Sequence, residues 1–264
     1  MADRQERVAI VTGAGTGIGQ AIALDLVDAG IRCVIVGRRR EPLDDTVARS
    51  GTDGRIVAIS GDITDAADRE RVVRETSRRF GRIDILVNNA GVSSIAPLLA
   101  AGEADWRKVM ATNVDAAFFM AQLVLTSMRE RNWGRIVNIG SVYGALALNA
   151  LHYDTFTEDS ELGPRRQPAY HTSKGAVLNL TRDLAAAVAK WGVTVNTVSP
   201  GMVITEQSDG LLSDEVIRRL CAMTPVGRFG EPAEIAHAVT FLASERAGFI
   251  TGEELKVDGG WSIW

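Results

Sequence analysis

Cysteine is nearly missing from this chain: Cys33 and Cys221 are the only two in 264 residues. Two are too few for a disulfide framework, and they lack the spacing of a metal site. Both are expected to be reduced thiols in a cytoplasmic protein. Histidine is as scarce, and His152, His171 and His237 include no pair at the spacing a zinc hydrolase needs. Long apolar runs are lacking too. Residues 1–7 are charged, unlike the start of a signal peptide, and Thr12 and Gly13 interrupt the apolar run that follows; no uninterrupted stretch looks long enough to span a bilayer. Neither sign of charge dominates, because Lys plus Arg number 29 against 33 for Asp plus Glu. Nucleic acid and anionic membranes are therefore not expected partners. Repeats, low-complexity tracts and proline-rich linkers are also missing.

What is present is an ordinary globular composition, 46% apolar and 23% charged, which excludes a disordered or collagenous chain. Short β-branched runs at 7–12, 32–37, 55–60, 83–88, 135–140, 193–199 and 254–258 alternate with segments of helical period near 18–29, 66–80, 103–131, 170–191 and 232–243. That alternation predicts an α/β fold with a parallel seven-stranded sheet. The runs are almost continuously apolar, so helices should cover both faces of the sheet. One doubly wound Rossmann domain over 1–264 is the expected organisation. Two segments break the rhythm: residues 146–168, long and aperiodic, read as an insertion near the substrate pocket, and weakly helical residues 206–224 read as a substrate lid.

Between the first strand and first helix lies Thr12-Gly13-Ala14-Gly15-Thr16-Gly17-Ile18-Gly19, where glycines let backbone N–H groups approach a pyrophosphate. The spacing departs from the usual dinucleotide fingerprint, whose third glycine would fall at Ile18. It is not a P-loop either, since no Lys-Ser/Thr pair follows. At the end of the second strand, where an acidic residue normally binds the adenosine ribose, the chain reads Arg38-Arg39-Arg40. A guanidinium there pairs with a 2′-phosphate. This favours NADP(H), with NAD(H) as the alternative.

Of Tyr143, Tyr153 and Tyr170, only Tyr170 has a lysine four residues on, Lys174. On a helix both share one face, and an ammonium close to a phenol lowers its pKa toward the range of a general acid or base.

Together these motifs resemble the short-chain dehydrogenase/reductase family. The matching residues are Thr12-Gly13-x-x-x-Gly17-x-Gly19, Asn88-Asn89-Ala90-Gly91, Asn113, Ser141, Tyr170-x-x-x-Lys174, and Pro200-Gly201 followed by Thr205, in family order across most of the chain. The resemblance implies that Tyr170 exchanges a proton with the substrate oxygen, Lys174 lowers its pKa and holds the nicotinamide ribose, Ser141 hydrogen-bonds the substrate oxygen, and Asn113 holds a water linking Lys174 to solvent. It further implies that Asp62 and Ile63 contact adenine, that Asn89, Ala90 and Gly91 line the cofactor cleft, and that Val203 and Thr205 hold the carboxamide and phosphate end beside Pro200 and Gly201. For Asn88 and Asn89 a purely structural role tying strands together stands beside this.

The implied activity interconverts a secondary alcohol and a ketone. A small polar polyol or sugar acid is the first expected substrate, a 3-oxoacyl thioester the second and a bulky ketone such as a steroid the third. Ser141 and Tyr170 are 29 residues apart, wider than in most relatives and similar to the gluconate 5-dehydrogenase-like branch. Within the extra residues, Arg165 and Arg166 are candidates to face an anionic substrate, and His152 and Asp154 to bind hydroxyls; solvation is the alternative for each. A serine hydrolase is excluded because Ile139, not glycine, precedes Ser141 at the elbow position. A silent NADP(H) sensor stays open as a different class, although it would not need all four of Asn113, Ser141, Tyr170 and Lys174. Residues 116–125 are apolar almost all round, and with the resemblance they imply a homotetramer or dimer. The aromatic C-terminus, Trp261 and Trp264, is expected to dock on a neighbour or on its own pocket.

Overall fold

The computed structural model describes residues 6–52, 54–154, 156, 161–205 and 212–263. Seven strands form one parallel sheet: β1 (Val8–Thr12), β2 (Arg32–Gly37), β3 (Ile56–Ser60), β4 (Ile85–Asn88), β6 (Gly134–Ile139), β8 (Val193–Pro200) and β9 (Glu254–Val257). Their order across the sheet is β3-β2-β1-β4-β6-β8-β9, so the expected doubly wound fold is present. Two further short strands, β5 (Ala96–Pro97) and β7 (Arg165–Arg166), form a separate antiparallel ribbon.

The helices are α1 (Gly17–Asp28), α2 (Arg40–Arg49), α3 (Ala66–Phe80), α4 (Glu103–Met110), α5 (Ala116–Arg131), α6 (Pro168–Val188), α7 (Asp214–Met223) and α8 (Pro232–Leu242). Helix α2 has no counterpart in the sequence expectation. Only Leu43 and Thr46 of its ten residues are buried, so it shows almost no apolar period to read. The long helix expected over 103–131 is divided by a π turn at Ala111–Asp115, where the Ala116 N–H bonds to the Ala111 carbonyl five residues back. By length and composition this run, Glu103–Arg131, is apolar enough to cross a membrane. Here Ala116, Met120, Val124 and Met128 are instead buried against the sheet.

Both faces of the sheet are covered, as continuous apolar strands require. Ala9 and Val11 pack with Ile22 and Leu26 of α1 and with Ile235 and Val239 of α8. Ile10, between them in sequence, points the other way, toward Met120, Val124, Leu184 and Val188. Through this apolar interior runs a polar chain. Asn88 Nδ2 donates to Asn138 Oδ1 at 2.9 Å, Asn138 Nδ2 donates to Thr181 Oγ1 at 2.8 Å, and Thr181 and Thr197 hydroxyls meet at 2.7 Å. It stitches β4, β6, α6 and β8 together. The structural role expected of Asn88 is the one observed.

Replacing Thr181 by valine keeps the side chain's shape and removes the acceptor of the Asn138 amide. A loss of about 1–3 kcal/mol is expected, read as a drop of several degrees in the thermal midpoint; an unchanged midpoint would show that the chain adds nothing to stability.

Candidate active site

Crossovers from β1 and β4 leave the sheet on opposite sides, and such a switch point opens a crevice at the carboxyl ends of the strands. A cleft of about 840 Å³ lies there, within the size range of sites that bury a small ligand. The glycine turn forms its floor, with Gly13, Gly15, Thr16, Gly17, Ile18 and Gly19 all on the wall. Gly19 is the tightest point. A Cβ there would lie 2.3 Å from the Gly13 carbonyl and 2.4 Å from Asn89 Nδ2, so no side chain fits. Asn89 causes this crowding because its Nδ2 donates to the carbonyls of Thr12 at 2.9 Å and Gly13 at 3.0 Å. In return, Thr12 Oγ1 accepts from the N–H groups of Asn89 and Ala90, at 3.0 and 3.1 Å. Asn89 therefore both lines the cleft and ties β1 to β4.

Around the rim stand the other residues expected to hold a dinucleotide: Arg38 and Arg39 beyond β2, Asp62 and Ile63 beyond β3, Ala90 and Gly91 beyond β4, and Pro200, Gly201, Val203 and Thr205 at and beyond the end of β8. The three arginines divide. Arg40 pairs with Asp44 at 2.8 Å, whereas Arg38 and Arg39 are exposed at the cleft. Asp62 Oδ1 accepts from the Thr64 N–H at 2.9 Å and its hydroxyl at 2.7 Å, which closes the turn after β3.

Ser141 follows β6, and Tyr170 and Lys174 lie on the first turns of α6, all three on the cleft wall. Gly144 allows the turn after Ser141 to press on α6: a Cβ there would stand 3.0 Å from the Lys174 backbone. Ser141 Oγ accepts from the Tyr143 N–H at 3.2 Å, so its own proton is free to donate. Lys174 is 6% exposed. Its Nζ donates to the Ile139 carbonyl at 2.7 Å and lies 5.7 Å from the Tyr170 ring centroid. Burial pushes the Lys174 pKa down to about 8. Burial also pushes the Tyr170 phenol up, while its hydrogen bond with Ser141 pulls it down. With the phenol taken out of water, desolvation of the phenolate is the larger of these two effects.

Asn113 sits in the π turn. Its Nδ2 donates to the Val92 carbonyl and to Ser173 Oγ, both at 2.9 Å, and its Oδ1 accepts from the Val92 N–H at 2.8 Å. Both amide protons are thus committed. Beside it a void of about 10 Å³, lined by Asn113, Lys174, Asn88 and Asn138 among others, is about the size of one water. Asn88 Oδ1 is buried without a donor among the described residues.

Residues 13–262 match the family described as enoyl-(acyl carrier protein) reductase. The chain is 37% identical to the 3-oxoacyl-[acyl-carrier-protein] reductase FabG of Vibrio cholerae over 96% of either chain. With the gluconate 5-dehydrogenase of Gluconobacter oxydans it shares 38% identity over 97% of this chain and 94% of the relative. Among solved structures, a single-residue variant of actinorhodin polyketide ketoreductase with NADPH is similar at a TM-score of 0.87 and 31% identity, covering 100% of both chains. The chain belongs to the short-chain dehydrogenase/reductase family. It is an oxidoreductase acting between alcohol and carbonyl groups.

In this short-chain dehydrogenase/reductase the residues between Ser141 and Tyr170 are arranged differently from the expectation. Arg165 and Arg166 do not line the cleft; they pair with Pro97 and Ala96 in the β5-β7 ribbon, and Arg166 borders a separate pocket of about 250 Å³ with Glu103, Asp105 and Trp106. Asp154 accepts from Ser213 Oγ at 3.2 Å and pairs with Arg219 of α7 at 3.5 Å. Burial, with the Arg219 charge beside it, holds the His152 pKa down. Asp154 thus ties the segment to α7, whose Val216 and Leu220 pack with Tyr153. Residues 155 and 157–160 of the expected insertion lie outside the described residues, as do 206–211 of the expected lid and Trp264.

Among the described residues of this segment, those that reach the cleft are Leu148, Tyr153, Phe156 and Gln167, joined by Tyr143 and Met202. No motif in the sequence points to any of them. The signal was available in the scarcity of tyrosine, but a search for lysine at the fourth position passes over Tyr143 and Tyr153. Tyr153 and Met202 pack with Val216 and Leu220 of α7, with Phe229 and with Trp261. The C-terminal aromatic thus docks on its own subunit.

Lys174 has an ordinary pKa of 10.5 and a buried one of about 8. Between those values the unfolded chain holds a proton that the folded protein has released, so stability contributed by this group rises with pH across the window. In the protein without added nucleotide, Lys174→Met should remove that rise: the variant's thermal midpoint should fall relative to the wild type's from pH 8 to pH 10. A constant difference would mean that Lys174 is not titrating in a buried site.

Proposed function

We propose that the protein interconverts the secondary alcohol and ketone forms of a small polar polyol, sugar acid or related carbonyl compound, with NADP(H) as redox partner. The observation that carries this reading is the convergence of the Ser141 hydroxyl, the Tyr170 phenol and the Lys174 ammonium on one cleft that begins at a glycine cradle. Relatives support the substrate class, since similar proteins are named as gluconate 5-dehydrogenase and galactitol 2-dehydrogenase. A 3-oxoacyl thioester is the second reading, favoured by the similarity to FabG.

The chain's residues take distinct parts. Gly13 to Gly19 present backbone N–H groups at the start of α1 to a pyrophosphate. Arg38 and Arg39, without a carboxylate partner among the described residues, receive a 2′-phosphate. Asp62 and Ile63 hold the adenine end, and Pro200, Gly201, Val203 and Thr205 the nicotinamide end. The dinucleotide, when bound, supplies or accepts the hydride. In reduction Tyr170 passes its proton to the substrate oxygen, while Ser141 donates to that oxygen as charge develops on it. Lys174, charged below about pH 8, stabilises the phenolate left behind. Asn113 positions Lys174 through Ser173, and the small void beside both holds the water that links the lysine onward. A homotetramer or dimer in the cytoplasm completes the reading, with exposed Trp106 and Phe119 of α4 and α5 covered by a second copy.

The test is loss of nicotinamide absorbance with NADPH and with NADH against polyol-derived ketones and 3-oxoacyl thioesters. Tyr170→Phe should lower kcat by about 100-fold or more while NADPH affinity stays within about twofold; wild-type turnover would show that the proton comes from elsewhere. Arg38→Asp should weaken NADPH about tenfold or more relative to NADH. An unaltered ratio would remove the arginine from the phosphate site.

A further inference from the structure

Tyr143 and Tyr153 face the same cleft as Tyr170, and their hydroxyl oxygens lie 2.6 Å apart. Two phenols bring two protons, and one oxygen–oxygen contact uses only one of them. Among the described residues the other proton has a single acceptor, the Met202 thioether sulfur, 3.5 Å from the Tyr153 oxygen. Sulfur is a weak acceptor. The wall of the cleft therefore carries a donor with a poor partner.

Both rings are held firmly. Tyr143 stacks on His171, the residue after Tyr170, with ring centroids 5.0 Å apart and planes 11° from parallel. Tyr153 meets Phe156 edge to face at 5.4 Å and packs against the cluster under α7. Burial pushes both phenols up, so each keeps its proton at neutral pH and the pair donates. Little ordering is left to do when a ligand arrives, which favours recognition.

We infer that Tyr143 and Tyr153 act together as a specificity element, donating one hydrogen bond to a second oxygen of the substrate, so that the preferred substrate carries a further hydroxyl or carbonyl close to the reacting group. This rests on the alcohol–ketone reading above. An entering oxygen takes the proton that faces Met202, a better acceptor replacing a worse one. A substrate lacking that oxygen gains nothing from the pair. Sites built to hydrogen-bond a substrate group discriminate against analogues without it more strongly than apolar pockets discriminate by size.

The experiment follows NADPH oxidation by the wild type, Tyr143→Phe and Tyr153→Phe on two matched pairs of ketones. Acetone against hydroxyacetone tests an oxygen on the neighbouring carbon, and 2-hexanone against methyl acetoacetate tests a carbonyl one carbon further on. Wild type should favour the oxygen-bearing member of at least one pair by about tenfold or more in kcat/KM, and the pair concerned separates a polyol-like from a 3-oxoacyl-like substrate. In Tyr153→Phe, which removes the donor that faces Met202, that ratio should fall to within about twofold of unity, the change appearing in KM more than in kcat; in Tyr143→Phe, which leaves the donor and removes only its neighbour, it should fall by less. Both substitutions keep the ring, and the melting midpoint checks the fold of each. Wild type without preference in either pair, or a ratio unaltered in Tyr153→Phe, would overturn the inference alone. No turnover of any ketone or alcohol would overturn the alcohol–ketone reading and this inference with it.

Discussion

The rest of the site depends on how closely β1 and β4 are held at their carboxyl ends. Thr12 and Asn89 exchange backbone and side-chain hydrogen bonds across the switch point, and the Asn89 amide reaches on to the Gly13 carbonyl. That leaves no room for a Cβ at Gly19. The first turn of α1 is thereby pressed onto the strand ends, with its N-terminus open to the cleft. A phosphate cradle needs its N–H groups aimed and not merely present, and this clamp aims them. Loosening it would move the cradle relative to Ser141, Tyr170 and Lys174, which stand beyond β6 and on α6 and are placed independently of α1.

Burial sets the proton chemistry on the other side of the cleft. Lys174 is drawn down and the phenols of Tyr143, Tyr153 and Tyr170 are drawn up for the same reason, the cost of a charge away from water. The consequence is a site whose groups rest in their neutral forms except the lysine, which lies close enough to neutrality to respond. Ser141 is the local counterweight, since its hydrogen bond favours the Tyr170 phenolate. The ammonium, bonded to the Ile139 carbonyl, is oriented by the strand end as much as by the phenol.

Substrate-facing walls come from three distant parts of the chain. The segment before α6 brings Tyr153 and Phe156, the turn after β8 brings Met202, and α7 with Trp261 packs behind them. Of the charged residues of that segment, which look like candidates for binding in the sequence, Asp154 fastens it to Ser213 and Arg219, and Arg165 and Arg166 pair through their backbone with the β5 strand. The segment's aromatic residues, which give no spacing signal, form the wall. Polar side chains were legible as chemistry only where a motif placed them.

Local patterns were enough for the sheet, the glycine turn, the separation of Tyr170 from Lys174 and the arginines after β2, because strand period, turn geometry and helix pitch act over a few residues. Helix α2 escaped such patterns because it buries only Leu43 and Thr46, and the π turn at Asn113 escaped them because residues 116–125 are apolar almost all round, so the rotation that one added residue imposes on a helix leaves no visible break. Only the tertiary structure decided that Tyr143 and Tyr153 meet, that Arg166 turns away from the cleft, and that desolvation governs Tyr170 and Lys174. Each of those outcomes depends on what surrounds a side chain after packing, and residues far apart in the chain supply those surroundings.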